Sequence, residues 1–138
     1  MNRISFFFII FIIIISSACA RGSSENPADR DTPDYTSYEG LAALMEEKVQ
    51  GSDFYLVDVR TPEEYETGHI PSALLIPHDT FTENLPTEDK DALIILYCRS
   101  GSRAGIVKNT LEEMGYTNIH NFGGVSNWLG PLTEGTEP

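Results

Sequence analysis

Residues 92–103 read Ala-Leu-Ile-Ile-Leu-Tyr-Cys-Arg-Ser-Gly-Ser-Arg, an apolar run that ends in a cysteine and a short polar loop. The apolar run is typical of a buried strand, and the segment from Arg103 to Met114 is typical of a helix. A cysteine between the two faces the N–H groups and the positive dipole end of a helix N-terminus. Because such surroundings stabilise anions, we interpret Cys98 as an easily ionised nucleophile rather than a buried apolar cysteine.

Outward from this stretch, apolar strands alternate with amphipathic segments. The predicted strands are Phe54–Val57, Ala73–Ile76, Ala92–Tyr97 and Asn118–Phe122. Helices are predicted to start at the capping boxes Thr36–Glu39 and Thr61–Glu64 and at Arg103. Short helices are also predicted over Thr80–Leu85 and around Trp128. Alternation of this kind implies a parallel sheet covered on both faces. Ligands of such sheets bind beyond the carboxyl ends of the strands, where Cys98 falls.

The overall charge argues against several classes of partner. The formal net charge is −12, and removal of the first twenty residues takes away only one basic residue, Arg3. An acidic chain is poorly suited to nucleic acid or to anionic lipid surfaces. Two of the few basic residues, Arg99 and Arg103, nevertheless flank Cys98. This local positive charge suits a small anionic substrate.

Residues 1–20 have the pattern of a signal peptide. Arg3 supplies the positive start, and Phe6–Ile15 is an apolar run too short to span a bilayer comfortably. Ser16–Cys19 resembles a relaxed bacterial lipobox, which predicts cleavage before Cys19 and lipidation of that residue. Ordinary cleavage after Ala20 is the alternative. We therefore expect an exported protein on the periplasmic side of a bacterial envelope, attached to the membrane only through a lipid on Cys19.

The remaining chain divides into three parts. Residues 21–35 are polar and aperiodic and are predicted to be a disordered tether, 36–132 a single folded domain, and 133–138 a flexible tail. The domain holds one thiol, so no internal disulfide is possible. His69, His78 and His120 lack metal-ligand spacing, and we expect no metal and no other cofactor.

Three blocks in this domain, in the same order, resemble those of the rhodanese-like domains, which are sulfurtransferases that work through a cysteine persulfide. The blocks are Leu56–Ala73 with Ile76-Pro77, then Tyr97–Arg103, then Gly123–Trp128. The resemblance covers roughly residues 37–130. It implies an α/β fold with an open parallel sheet of about five short strands and helices on both faces.

The resemblance also implies roles for the residues of the loop. Cys98 would carry the persulfide, which Arg99, Ser100, Gly101, Ser102 and Arg103 would bind. Arg99 is the candidate for attracting the anionic donor, and Arg103 is expected to fix the loop–helix junction. Four residues separate Cys98 from Arg103, as in sulfur-transferring members, whereas related phosphatases and some arsenate reductases have five. The expected partners are a small anionic sulfur donor and a thiol acceptor, and the chain is expected to be a monomer.

Residues outside the cysteine loop are expected to have supporting roles. The family uses residues at the positions of Asp58 and Arg60 to support the loop. An Arg60–Glu64 ion pair is plausible because the two are four positions apart across a helix start, but the capping box with Thr61 is the favoured role of Glu64. Trp128 is expected to be a core residue.

A non-catalytic binding or regulatory module of the envelope is one alternative function, and an envelope redox protein that uses Cys98 against partner disulfides is another.

Overall fold

The computed structural model describes residues 33–138, so the predicted signal peptide, Cys19 and most of the tether lie outside the described residues. Three α-helices and four strands alternate within this range. They are α1 (Tyr38–Glu47), β1 (Tyr55–Asp58), α2 (Pro62–Glu66), β2 (Leu74–Leu75), β3 (Ile94–Cys98), α3 (Ser102–Glu113) and β4 (Ile119–Gly124). Short 3₁₀ turns cover Phe81–Glu83 and Val125–Asn127.

The four strands form one parallel sheet in the order β2-β1-β3-β4. This confirms the α/β class, although within residues 33–138 the sheet has four strands rather than about five. An isolated parallel bridge between Gln50 and Phe54 lies beside β1. Because all strands point the same way, Asp58 at the end of β1 is paired with Tyr97, directly before Cys98.

Strand β3 is buried along its whole length, and its side chains alternate between two cores. Ile94, Leu96 and Cys98 face the core that contains α3, while Ile95 and Tyr97 face the core that contains α1. Helices therefore cover both faces, as predicted. Trp128 is partly buried against the α1 core.

The helix starts follow the sequence signals closely. At α2, Thr61 accepts a hydrogen bond from the Glu64 N–H and the Glu64 carboxylate accepts one from the Thr61 N–H, which is the predicted capping box. At α1 the cap is Ser37, not Thr36, and its hydroxyl accepts from Gly40 N–H. The segment predicted as a short helix over Thr80–Leu85 forms only a 3₁₀ turn.

The ends of the domain make more contacts than the sequence indicates. Tyr35, the last residue of the predicted tether, packs edge-on against His120 with ring centroids 5.3 Å apart. Thr133, the first residue of the predicted flexible tail, pairs with His69 through two backbone hydrogen bonds of 2.9 Å. The imidazole of His69 is fully buried, stacks on Tyr65, and lies 3.1 Å from the Glu137 carbonyl oxygen. Within residues 33–138, no helix combines the length and apolar character needed to cross a membrane.

Candidate active site

Cys98 is the last residue of β3, and its side chain lies beneath the N-terminus of α3. Only 1% of the residue is exposed. Its Sγ accepts a hydrogen bond of 3.0 Å from the N–H of Gly101. The chain can turn this sharply because Gly101, the N-cap of α3, adopts a left-handed conformation with φ +93°.

The electrostatics of this turn favour the thiolate form of Cys98. Burial alone would raise the pKa of the thiol, but the backbone N–H groups of Ala104, Ser100, Gly101 and Arg103 outweigh it and lower the pKa. The cap residue Gly101 has no side chain to accept the first N–H groups of α3, and the first turn holds no acidic residue. The helix N-terminus is therefore available to stabilise an anion on sulfur.

Two glycines of β4 allow the loop to lie directly against the sheet. Cys98 is paired with Gly124, and a Cβ at that glycine would lie 2.7 Å from the Arg99 carbonyl oxygen. A Cβ at Gly101 would lie 3.1 Å from the Cα of Gly123, and Gly123 itself has a φ of +96°. The third block of the sequence motif thus holds the loop by close backbone approach.

Three polar side chains of the loop lie at the surface, namely Arg99, Ser100 and Ser102. The hydroxyls of the two serines lie 3.4 Å apart. The structure therefore brings Arg99 to the rim of the site, while a backbone N–H, that of Gly101, makes the hydrogen bond to the sulfur.

Arg103 connects the loop to a second helix. Its guanidinium donates two hydrogen bonds to the carboxylate of Glu64, of 2.7 and 2.9 Å, and so joins the first turns of α3 and α2. The bond from Arg103 is the main reason that the pKa of Glu64 is lowered to about 2. Glu64 raises the pKa of Arg103 most, and the nearby Cys98 thiol raises it further.

Asp58 and Arg60 form a separate buried pair beside the site. Arg60 Nε lies 2.9 Å from each carboxylate oxygen of Asp58, and its Nη2 donates at 2.6 Å to Asp58 and at 2.7 Å to the Gly68 carbonyl. The predicted Arg60–Glu64 pair is therefore wrong. Arg60 is 5% exposed and is drawn to the fully buried Asp58, which leaves Glu64 to Arg103. The Asp58–Arg60 pair lies beside Tyr97, the residue before Cys98, and the Tyr97 ring lies 5.7 Å from the guanidinium.

Sequence reasoning missed Asn121. Its Nδ2 donates to the Gly101 carbonyl at 3.1 Å, and its Oδ1 accepts from Gly123 N–H at 2.9 Å. A polar residue in the middle of a predicted strand was the available signal, because a buried-type strand rarely carries an amide without a partner for it.

The site is a cysteine held by backbone N–H groups at the carboxyl edge of a parallel sheet, and this arrangement indicates the class of protein to which the chain belongs. The sequence pattern of the Rhodanese-like domain family matches residues 37–130, and this chain belongs to that family. The match contains all three blocks on which the resemblance was based.

Individual relatives agree with this assignment. The thiosulfate sulfurtransferase PspE of Escherichia coli is 37% identical over 81 residues, which are 57% of this chain and 78% of that protein. The putative sulfurtransferase YtwF of Bacillus subtilis is 38% identical over 89 residues, 64% of this chain and 86% of that protein. A solved structure described as rhodanese with anions from E. coli covers 59% of this chain and 98% of that one, with 34% identity and a TM-score of 0.52. These relatives support sulfurtransferase activity of the rhodanese type.

Proposed function

We propose that this protein transfers a sulfane sulfur from thiosulfate or a similar anionic donor to a thiol acceptor, through a persulfide on Cys98. The observation that carries the proposal is the 3.0 Å hydrogen bond from Gly101 N–H to Cys98 Sγ, made inside a ring of backbone N–H groups. Two relatives support it, one named a thiosulfate sulfurtransferase and the other a putative sulfurtransferase. A related rhodanese structure that holds anions supports an anionic donor.

The reaction follows from the chemistry of a thiolate beside a helix N-terminus. In the first step the Cys98 thiolate attacks the outer sulfur of thiosulfate, the S–S bond of thiosulfate breaks, and its electron pair leaves on sulfite. The product is a Cys98 persulfide anion. In the second step an acceptor thiolate, or cyanide in an assay, attacks the terminal sulfur, and the Cys98 thiolate leaves with the bonding pair.

The loop would stabilise charge on whichever sulfur carries it. In the resting state the N–H groups favour the Cys98 thiolate, and after the first step the same donors would face the terminal sulfur of the persulfide. Arg99 is exposed at the rim and makes no ion pair within residues 33–138, so it could attract a dianion, whereas Arg103 is already held by Glu64. The two arginines are therefore proposed to have different roles, recognition for Arg99 and support for Arg103.

The decisive experiment measures sulfur bound to the protein. Incubation of purified protein with thiosulfate should add the mass of one sulfur atom to Cys98, and cyanide should remove it as thiocyanate. Cys98→Ser should abolish the mass gain and lower turnover on the order of a thousandfold or more, with an unchanged circular dichroism spectrum. Wild-type protein that has been alkylated at Cys98 beforehand is the matched control, because it blocks the thiol without a mutation.

Three results would contradict the proposal. Near-normal sulfur transfer by Cys98→Ser would exclude the persulfide on this residue. Hydrolysis of an aryl phosphate by the wild-type protein faster than sulfur transfer would favour the phosphatase branch instead. A wild-type protein that is folded but inactive in both assays would support the non-catalytic binding module.

We also propose that the protein is exported and anchored on the periplasmic side of a bacterial envelope by a lipid on Cys19. The support is the order of Arg3, the apolar core Phe6–Ile15 and Ser16–Cys19 in the sequence. When the protein is expressed in a bacterium, it should label with a fatty acid and partition into detergent. Cys19→Ala should abolish the label and release soluble protein, because Ala18 and Ala20 still provide an ordinary cleavage site. Unlabelled, soluble wild-type protein that starts at Arg21 would contradict the anchor.

A further inference from the structure

Strand β4 contains an irregularity next to the cysteine loop. Leu96 of β3 is paired with Asn121, but the next residue, Tyr97, is paired with Gly123, so Phe122 is an extra residue on β4. Phe122 is 1% exposed and packs into the α1 core. The bulge thus lies directly across the sheet from the residue that precedes Cys98, where it can direct a side chain at the loop.

Asn121 is that side chain, and both polar atoms of its carboxamide make a hydrogen bond. Its Nδ2 donates to the Gly101 carbonyl at 3.1 Å and its Oδ1 accepts from the Gly123 N–H at 2.9 Å. The orientation of the amide is determined by these partners, since a carbonyl can only accept and an N–H can only donate. No other natural side chain of this length supplies one donor and one acceptor in this geometry.

Both partners of Asn121 are glycines with left-handed backbone angles. Gly101 has φ +93° and Gly123 has φ +96°, and the two approach so closely that a Cβ on Gly101 would lie 3.1 Å from Gly123 Cα. Glycine has no intrinsic preference for such a conformation over its others, so the conformation must be imposed by neighbouring groups. The Gly101 carbonyl accepts from Asn121 and also from the Gly105 N–H at 2.8 Å.

The orientation of Gly101 decides where the donors of the site point. Its own N–H is the group that lies 3.0 Å from Cys98 Sγ, and its carbonyl belongs to the peptide that opens α3. With Gly101 free to rotate, the N–H would leave the sulfur and the first turn of α3 would shift. Hydrogen bonds to sulfur weaken steeply as the donor turns away.

We propose that Asn121 is a positioning residue of the active site, which clamps Gly101 to Gly123 and thereby aims the loop N–H groups at Cys98 Sγ. The expected effect on sulfur transfer rests on the proposed function. The expected effect on the Cys98 thiol does not, because the clamp acts on the loop around that thiol. Asn121 does not touch the sulfur. Its influence passes through the backbone of Gly101.

The test compares Asn121 with an asparagine outside the site. Asn121→Ala removes both bonds without adding charge, and Asn121→Asp keeps the acceptor for Gly123 but places an oxygen against the Gly101 carbonyl. The matched controls are Asn84→Ala and Asn84→Asp, because Asn84 is exposed and its Nδ2 donates at 3.0 Å to the Thr80 carbonyl, a backbone group outside the cysteine loop and β4. The readout is the rate of Cys98 alkylation by iodoacetamide as a function of pH, together with thermal unfolding.

We expect the alkylation midpoint to move to higher pH by about one unit in Asn121→Asp and by less in Asn121→Ala. Arg103 and Glu64, the charged groups beside the site, are unchanged in every variant, so they cannot produce the shift. We also expect kcat for sulfur loading from thiosulfate to fall about tenfold in Asn121→Ala, with KM nearly unchanged. Both Asn84 variants should keep the wild-type midpoint.

An unchanged alkylation midpoint in both Asn121 variants would overturn the proposal, even if their unfolding temperatures fell, because a purely structural residue would give that pattern. An equal shift in the Asn84 variants would overturn it as well. If the wild-type protein takes no sulfur from thiosulfate but the Asn121 midpoints still shift, the proposed function fails and the clamp stands. Should Asn121→Asp fail to fold, Asn121→Ala alone decides.

Discussion

Two polar sites lie side by side at the carboxyl edge of the sheet, one after β1 and one after β3. At the first, the carboxylate of Asp58 meets the guanidinium of Arg60, and both are almost completely buried. At the second, Cys98 is equally buried, but its partners are backbone N–H groups. The strands pair in register, so Asp58 lies opposite Tyr97 and the two sites are neighbours.

The two sites differ in whether their charges are already matched. Burial alone would lower the pKa of Arg60, but the Asp58 carboxylate raises it, and we call this matched pair the closed site. In the cysteine loop the N–H groups at the positive end of α3 surround a thiol that can gain or lose a proton, and we call this the open site. A buried pair with matched charges is suited to supporting the fold, whereas donors around a titratable nucleophile are suited to chemistry.

The largest effect is expected at the closed site, the Asp58–Arg60 pair. Arg60→Met should lower the free energy of unfolding by about 3–5 kcal/mol, because it leaves the buried carboxylate of Asp58 without a counter-charge. Urea unfolding at neutral pH measures this loss. The Cys98 thiol in the fraction that remains folded should keep its alkylation rate, since backbone N–H groups, and not Arg60, lower its pKa.

Lys108 provides the matched control, because its ion pair with Glu112 lies one helical turn apart on the exposed face of α3. Lys108→Met should change the free energy of unfolding by less than about 0.5 kcal/mol. A loss as small in Arg60→Met would show that Asp58 can find another partner and that the first site is not closed. A large loss of thiol reactivity in folded Arg60→Met would remove the distinction between the two sites.

Much of this arrangement could be predicted from the sequence. The alternation of apolar runs with capping boxes predicts the α/β class, and the Thr61–Glu64 box is present as expected. The position of Cys98 followed from local signals as well, because a strand, a glycine and a helix start are all encoded within residues 92–103. Such features depend on neighbouring residues, which a sequence displays directly.

The pairing of side chains could not be predicted in the same way. Arg103 and Glu64 are 39 residues apart, and their contact exists only because β1 and β3 are neighbours and end at the same edge. Sequence spacing favoured Arg60 for Glu64, but it carried no information on the burial of Asp58. Asn121 was missed for the same reason, since its partner Gly101 lies 20 residues away.

A smaller effect is expected at the ion pair that joins the two helices. Glu64 has a folded pKa of about 2 against an ordinary value of 4.5, so its contribution to stability is complete above pH 4.5 and is lost as the pH falls toward 2. Since both side chains are about a quarter exposed, we expect Glu64→Gln to cost about 1 kcal/mol at pH 6. The cost should shrink when unfolding is measured at pH 3.

This substitution isolates the ion pair, because a glutamine at N3 can still accept from Thr61 N–H and keep the capping box. Glu63→Gln is the control, since it removes the same charge one residue earlier without touching Arg103. A cost for Glu64→Gln that does not change between pH 6 and pH 3 would mean that the Arg103 pair contributes nothing, and that the helix start alone is affected.

The smallest effect is expected at Arg99, on the rim of the open site. Arg99 is exposed and belongs to a chain of net charge −12, so its positive charge should aid the approach of thiosulfate more than its chemical conversion. We expect Arg99→Ala to raise KM for thiosulfate about threefold at low salt, with little change in kcat. At an ionic strength near 0.5 M the difference from the wild type should almost disappear, because screening then acts over about the width of one side chain.

Lys48→Ala is the control for this prediction. It removes one positive charge from the exposed C-terminal cap of α1 and leaves the loop intact, so the net charge of the two variants is equal. If Lys48→Ala raises KM as much as Arg99→Ala does, the effect belongs to the charge of the whole protein and Arg99 has no special role. If KM rises only for Arg99→Ala but is insensitive to salt, Arg99 contacts the donor directly, and the open site then includes a side chain as well as the backbone.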